Sequence, residues 1–417
     1  MRLSRRALLG LSAAGLALPR RLFAASEGST RKFLFVFCPG GWDPTYVFAP
    51  LWGVSGVDMP PDDSVAATIG GFSLVDSGGR PSVRRCFERW GSRAALVQGI
   101  SVPSVAHEVC RRIVMTGSRQ AERDGWDVLI ASAAGASLPM PLVHLSGPMF
   151  ALDHADAVVR MGERGQLASL LQGVALGQSD MPVTVPSAEV QALQRAYVAS
   201  RAAEAASAAG AGWAARQASA QALAGERLES MLLEADKLTL TGEDSLAEQG
   251  AVIAELFEQG LARCAMIAYE GPNGQAWDTH TENYKQGPNF EGLFEGLDDI
   301  LTDLSARTGS AGSLLDDTTV VLLSEMGRDP RLNKNNGKEH WPWTSALLLG
   351  AGIRGGVTVG GWTDGVSGET VDPSTGEPTD SGITVTTEVL GATLLALADV
   401  DPGEFIDAPT PLTAVLA

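Results

Sequence analysis

Five short apolar runs, each ended by Gly, Pro or a polar cluster, recur along the chain: FLFVFC (33–38), AALVQGI (94–100), AMIAY (265–269), TTVVLLS (318–324) and SALLLGA (345–351). Runs of this length, rich in Val, Ile, Leu and Phe and lacking polar alternation, read as strands buried on both faces of a mainly parallel sheet. Helical patterns lie between them. AHEVCRRIVMTG suits a helix entered directly after the second run, and NFEGLFEGLDDILTDLSART carries apolar residues at helical spacing between the third and fourth. TTEVLGATLLALADV closes the pattern with another amphipathic helix. Alternating strands and helices predict a doubly wound α/β sheet, one domain from residue 26 to 417, with ligands at the carboxyl ends of the strands.

Residues 186 to about 260 interrupt this alternation with an Ala-rich, charge-sprinkled helical tract, in which Gly210 and Gly212 mark a turn between two helices. The tract reads as a helical insertion, and its Ala, Leu and Met residues as packing. The segment 360–382 is acidic, Gly-rich and without apolar period. It reads as a solvated loop, with calcium binding as the alternative use of its oxygens.

The first 25 residues follow a different logic. A basic start, the apolar run Ala7 to Leu18 and then Pro and small residues read as an export signal, too short to span a bilayer. Within it, Ser4-Arg5-Arg6-Ala7-Leu8-Leu9 matches a twin-arginine signal, the route of proteins that fold before crossing the membrane; an ordinary secretory signal is the alternative. The expected location is therefore periplasmic or extracellular.

Charge narrows the partners. The formal net charge is −18, and cleavage near Ala25 removes five arginines and no acids, which brings it to about −23. A nucleic-acid partner needs clustered Lys and Arg that this chain lacks. No run of about twenty apolar residues offers a membrane span. Cys38, Cys86, Cys110 and Cys264 lie far apart with no C-x-x-C spacing, which argues against a cysteine-based zinc site. Export would permit disulfides, but spacing does not choose a pairing.

Candidate chemistry gathers where the strands end. Asp43 and Thr45 follow the first run, His107 the second, Asp278 and His280 the third, and Glu325 and Arg328 the fourth; His340 lies just before the fifth. Parallel neighbours would bring these loops to one rim, where histidines meet carboxylates. Imidazole mixed with carboxylate suits zinc, manganese or a similar divalent ion, singly or as a pair, whereas magnesium and calcium use mainly oxygen ligands. Asp278 and His280 are two apart, so in extended backbone they point to one side, and the Gly-Pro-Asn-Gly run at 271–274 favours that conformation. Asp-Thr-His can also simply cap the segment that follows it.

Taken together, the export signal, GGWD after the first strand, AHEVCRRIVMTGS, WDTH, SEMGRDPRLN with GKEHWPW, and LLLGAGIRGG resemble the exported bacterial family called domain of unknown function 1501, from residue 32 to about 360 and weakly beyond. That family is similar to the alkaline phosphatase and sulfatase superfamily, which implies an alkaline-phosphatase-like fold and a metal-dependent site for phosphoryl or sulfuryl transfer at the strand ends. By position the resemblance makes Asp43, Asp278, His280 and His340 metal ligands. Where phosphatases hold Ser or Thr and sulfatases a modified Cys, this chain has His107, and Arg111 falls at the sulfatase Arg. Where the superfamily has an Asp-His pair, Glu325 and Met326 stand instead. Glu325 remains a metal candidate, and Arg328 either clamps an oxyanion or forms a structural pair with Glu325.

The implied function is an exported metal-dependent hydrolase acting on a small phosphate or sulfate ester. Its catalytic candidates are His107, Arg111 and Arg328, and its metal candidates Asp43, Asp278, His280, Glu325 and His340. The alternative is a superfamily member without catalysis that serves as a binding or assembly protein of the cell envelope. A redox role lacks support, because the chain has neither a G-x-G-x-x-G after a strand nor a haem or iron–sulfur spacing.

Overall fold

The computed structural model describes residues 31–134, 138–161, 187–209, 238, 245–274 and 277–417. The expected export signal and the centre of the Ala-rich tract, with its turn at Gly210 and Gly212, lie outside the described residues. In chain order, β1 (Lys32–Phe37) precedes a hairpin of β2 (Val65–Ile69) and β3 (Phe72–Asp76), then helix α1 (Pro81–Trp90), β4 (Ala94–Ser101), α2 (His107–Thr116) and α3 (Trp126–Ser132). Next come β5 (Leu142–His144), β6 (Val158–Arg160), α4 (Ala188–Ala209), α5 (Leu246–Glu258) and β7 (Cys264–Ala268). After them follow α6 (Gln286–Ala306), α7 (Leu314–Asp317), β8 (Thr318–Leu323), the hairpin β9 (Gly327–Leu332) and β10 (Lys338–Trp341), and β11 (Trp343–Gly350). Strands β12 (Val357–Val359), β13 (Thr370–Val371) and β14 (Ile383–Thr384) and helix α8 (Thr387–Leu397) complete the fold.

All five apolar runs became strands of one eight-stranded sheet, ordered β12-β4-β11-β8-β1-β7-β5-β6. The alternation of β1 explains why it is buried on both sides. Leu34 and Val36 join the core shared with α1, α5 and α6, while Phe33, Phe35 and Phe37 join the core shared with α3 and α8. Helices thus cover both faces, as a doubly wound sheet requires. Burial of each such Phe stabilises the fold by about 2–3 kcal/mol before entropy is counted.

One strand departs from expectation. β11 runs antiparallel to both β8 and β4, whereas every other neighbouring pair is parallel. A parallel return needs a crossover, usually helical. Here the segment from Glu325 to Trp341, expected as loops, folds into the β9–β10 hairpin instead, and the chain re-enters the sheet from the rim it left. The start of β11 therefore lies at the carboxyl ends of its neighbours, and His340 with it.

Helix ends follow local chemistry. Ser245 and Glu248 form a reciprocal capping box at the start of α5, and α2 stops at Gly117, whose φ of +71° suits a residue without Cβ. The four cysteines are buried free thiols, so none of the permitted disulfides forms. The segment 360–382, expected as a solvated loop, is partly structured: Thr370–Val371 form β13 with Val371 fully buried, while the carboxylate of Asp372 accepts from Ser374 and Thr375 within its own turn. Among the described residues no helix is long and apolar enough to cross a membrane.

Candidate metal centre

Four loops meet at the rim above β1, β4, β8 and β7. Gly40, at φ +118°, lets the loop after β1 press against the one after β7, because a Cβ there would lie 2.7 Å from the backbone nitrogen of Asp278. Gly337 does the same on the hairpin, where a Cβ would lie 2.0 Å from the carbonyl oxygen of His280. His107 is the first residue of α2, reached directly from β4. His340, on β10, pairs with Arg328 across the hairpin.

The side chains converge on Asp278. Its Oδ1 is 3.1 Å from Nε2 of His280 and 3.1 Å from Nε2 of His340, and its Oδ2 is 3.3 Å from Nε2 of His107. The Nε2 atoms of His280 and His340 are 2.9 Å apart. Each ring is held from behind through Nδ1. His107 meets Glu325 Oε1 at 2.9 Å, His280 meets Glu339 Oε2 at 2.7 Å, and His340 meets the carbonyl of Val105 at 2.6 Å. A carboxylate or carbonyl opposite Nδ1 requires the proton there, so each neutral ring turns the lone pair of Nε2 inward.

Three lone pairs and a carboxylate oxygen facing one point repel one another unless a cation lies among them. The Nε2 of His107 is buried and makes no hydrogen bond. Ligand atoms of His107, Asp278 and His340 all lie within 4.8 Å of one another, and outside this cluster no group of three or more His, Cys, Asp or Glu comes together in this way among the described residues. Bonds of about 2.0–2.1 Å in tetrahedral arrangement place ligand atoms about 3.3 Å apart, so the observed spacings fit a divalent ion such as zinc or manganese. Imidazoles whose second nitrogen is fixed by an acceptor are the usual form of metal-binding histidine.

Without a metal ion the cluster holds protons. The carboxylates of Asp278 and then Glu325, beside its two ring nitrogens, outweigh desolvation and raise His107 to about 9. Burial works to raise Asp278, but His107, Arg328 and His340 together hold its carboxyl well below the usual range.

Of the expected site residues, His107, Asp278, His280 and His340 form the cluster itself. Glu325 does not face it. Its Oε1 accepts from the backbone N–H of Gly40 at 2.8 Å and steadies His107, so it acts behind the ligands. Arg328 does not pair with Glu325, and it is not free to clamp a ligand. Fully buried, it donates to the carbonyls of Gly41, Lys338 and Gly40 and to Asp278 Oδ1 at 2.5 Å, which orients that carboxylate. Arg111 lies at the edge, paired with Glu108 at 2.9 Å and 3.6 Å from Glu325 Oε1.

Asp43 stays outside the cluster. Its Oδ1 accepts from Thr45 N–H and Oγ1, and its Oδ2 accepts from Asn283 at 2.8 Å and pairs with Lys338 Nζ at 2.8 Å. Both oxygens are engaged and the pair is buried, so Asp43 anchors the hairpin to the loop after β1. Glu339, the Val105 carbonyl and Lys338 were not anticipated from sequence. The adjacency of Glu339 to His340 was the only signal for it, because its contact with His280 depends on how the hairpin folds over.

The model of a family described as "Protein of unknown function (DUF1501)" matches residues 93–408. No curated protein matches the chain. Solved structures resemble it over most of its length. A 2-O GAG sulfatase aligns at 10% identity over 89% of this chain and 71% of that one, with TM-score 0.38. A protein of Bacteroides thetaiotaomicron VPI-5482 described as a candidate sulfatase aligns at 11% identity over 91% and 72%, with TM-score 0.33. The lipoteichoic acid synthase LtaP of Listeria monocytogenes aligns at 8% identity over 93% and 77%, with TM-score 0.38. At these scores no activity is inferred from them.

Proposed function

The chain belongs to the DUF1501 family, and on that footing we propose that it is an exported, metal-dependent hydrolase acting on a small phosphate or sulfate ester. One observation carries the reading: three imidazole Nε2 atoms face Asp278, each with its Nδ1 turned to an acceptor. His107, Asp278, His280 and His340 hold one divalent ion, with zinc or manganese best suited to the donors. A second ion lacks ligands, because Asp43 is engaged by Lys338 and Glu325 by Gly40 and His107.

The bound ion supplies Lewis acidity toward an ester oxygen. The remaining chemistry belongs to the chain. Helix α2 begins beside the cluster after Ala106, which has no side chain to cap it, so its first N–H groups favour an anion. Arg111, one turn into that helix, adds a cation at the same edge. Glu325 and Glu339 keep His107 and His280 in place, and Arg328 keeps Asp278 ionised and oriented.

A second reading rests on a specific observation. Among the described residues no Ser, Thr or Cys side chain hydrogen-bonds to His107, Asp278, His280 or His340, which leaves water as the nucleophile or leaves the site without catalysis, as a metal-dependent binding protein of the envelope. The test uses protein exported and folded in its host. Elemental analysis is expected to find about one zinc or manganese per chain, and aryl phosphate, phosphodiester and aryl sulfate esters are assayed with wild type and His280→Ala. Turnover lost in the variant supports the hydrolase. Metal without turnover on any ester supports the binding protein, and absence of metal overturns both.

A further inference from the structure

Asn333 is the first residue after β9, and its side-chain amide is fully engaged. Nδ2 donates to the carbonyl of His280 at 2.9 Å and to Glu339 Oε1 at 2.7 Å. Oδ1 accepts from the backbone N–H groups of Asn335 at 2.8 Å and Gly337 at 3.0 Å. A carboxamide has two donor hydrogens and two acceptor lone pairs, so each is used once. The acceptor bonds close the turn between β9 and β10, together with the Asn333 N–H on the carbonyl of Gly337 at 2.8 Å. The donor bonds leave the turn and reach the metal centre.

Both donor bonds act on one proposed ligand. His280 is fixed at its backbone by Asn333 and at its ring by Glu339, whose Oε2 meets Nδ1 at 2.7 Å. Glu339 is 58% exposed, so packing does not hold it. Its carboxylate is held at its two oxygens instead, Oε1 by Asn333 and Oε2 by His280. Released at Oε1, an exposed Glu regains rotamer freedom that competes with the contact to His280. The other two rings need no such relay. Glu325, behind His107, is fully buried, and the group behind His340 is the backbone carbonyl of Val105.

We infer that Asn333 is a positioning residue of the metal centre, which sets the tautomer and orientation of His280 through Glu339. Its effect on metal affinity rests on the metal-dependent reading above; its effect on the imidazole does not.

The polarity of the relay supplies the test. Asn333 and His280 both donate to Glu339, which accepts from both. Asn333→Asp keeps an acceptor for the turn but sets a second carboxylate against Oε1 of Glu339, which turns Glu339 away from His280. In Glu339→Gln one amide oxygen replaces two acceptors and cannot face both donors. In the double variant Asn333→Asp with Glu339→Gln the new amide donates to the new carboxylate and keeps its oxygen for His280, at the net charge of wild type.

Zinc affinity of the full chain is read by competition with a chromophoric chelator. Each single variant is expected to bind about ten-fold or more weakly than wild type. The double variant should bind about three-fold or more tightly than either single variant, short of wild type because the carbonyl of His280 has lost its donor. A loss that the second substitution reverses is not loss of fold. In the metal-free chain, 15N NMR at about pH 9, where a free imidazole is neutral, reads the His280 tautomer, its signals identified by their absence in His280→Ala. Wild type and the double variant should hold the proton on Nδ1, and Asn333→Asp should show a mixture. Unchanged zinc affinity or an unchanged tautomer in Asn333→Asp, or a double variant no better than the single ones, overturns the inference. A wild type that takes up no zinc overturns the metal-dependent reading instead, and the tautomer still decides the role of Asn333.

Discussion

Nε2 of His280 lies 2.9 Å from Nε2 of His340, with both Nδ1 atoms committed to acceptors behind them. Two lone pairs held this close repel unless a proton or a metal cation lies between them, so on the proposed reading metal binding would be linked to folding. Chelation is expected to lower the melting temperature of wild type by several degrees, about 3–4 kcal/mol at metal concentrations of 100 to 1,000 times Kd. In His280→Ala with His340→Ala the repulsion and the site are both gone. Differential scanning calorimetry with and without chelator should then give one transition temperature, and a wild type indifferent to the chelator would refute the linkage.

The residues behind the ligands should matter almost as much. Glu339 is 58% exposed and holds His280 Nδ1, so Glu339→Gln should leave the fold intact yet weaken metal binding by about 10- to 100-fold. A competition assay with a chromophoric chelator reads this directly. Glu325→Gln should weaken binding similarly and also lower stability, because Glu325 is fully buried and ties Gly40 to His107. Unchanged affinity in Glu339→Gln would show that the His280 contact has no orienting role.

Sequence made some of this legible and hid the rest for physical reasons. The five strands were readable because each is an uninterrupted apolar run closed by Gly, Pro or a polar cluster. His107, Asp278 and His280 were readable because each closely follows such a run. His340 precedes one, and reached the same rim only because β11 reverses direction, which no local period encodes. Asp43 shows the converse. In sequence it looks like Asp278, a carboxylate after a strand, but Lys338 on the distant hairpin neutralises it. Glu325 and Arg328 share that origin: the hairpin they introduce sets them behind His107 and Asp278, which they touch at 2.9 and 2.5 Å.

The Lys338–Asp43 pair, 2.8 Å long with side chains 1% and 0% exposed, offers a direct test of the assignment of Asp43 as an anchor. Lys338→Met leaves a buried carboxylate unpaired, which is expected to cost about 3–5 kcal/mol. Adding Asp43→Asn removes that charge and should restore part of the loss, with a coupling energy on the order of 1–3 kcal/mol in a double-mutant cycle by denaturant unfolding. Metal content should follow the folded fraction. Strictly additive losses would argue that the pair contributes nothing as a pair.

Asp127 sets a pH dependence unrelated to the metal. It lies in the first turn of α3, fully buried, and both its carboxylate oxygens are buried without a side-chain partner. Desolvation raises it from 3.8 to about 7, against the opposing pull of the backbone N–H groups of Val128 and its own. The folded state thus keeps a proton that the unfolded chain releases. The stability carried by that proton is fully present below about pH 4 and declines as pH rises to about 7, by up to about 1.4 kcal/mol per pH unit. Asp127→Asn mimics the protonated form and removes this slope. The difference in unfolding free energy between variant and wild type should therefore move in favour of the variant from pH 4 to pH 7 and then level off, whatever the absolute cost of the buried amide. Parallel stability curves for the two proteins across that window would mean that Asp127 is ionised in the folded state and stabilised by contacts other than those described.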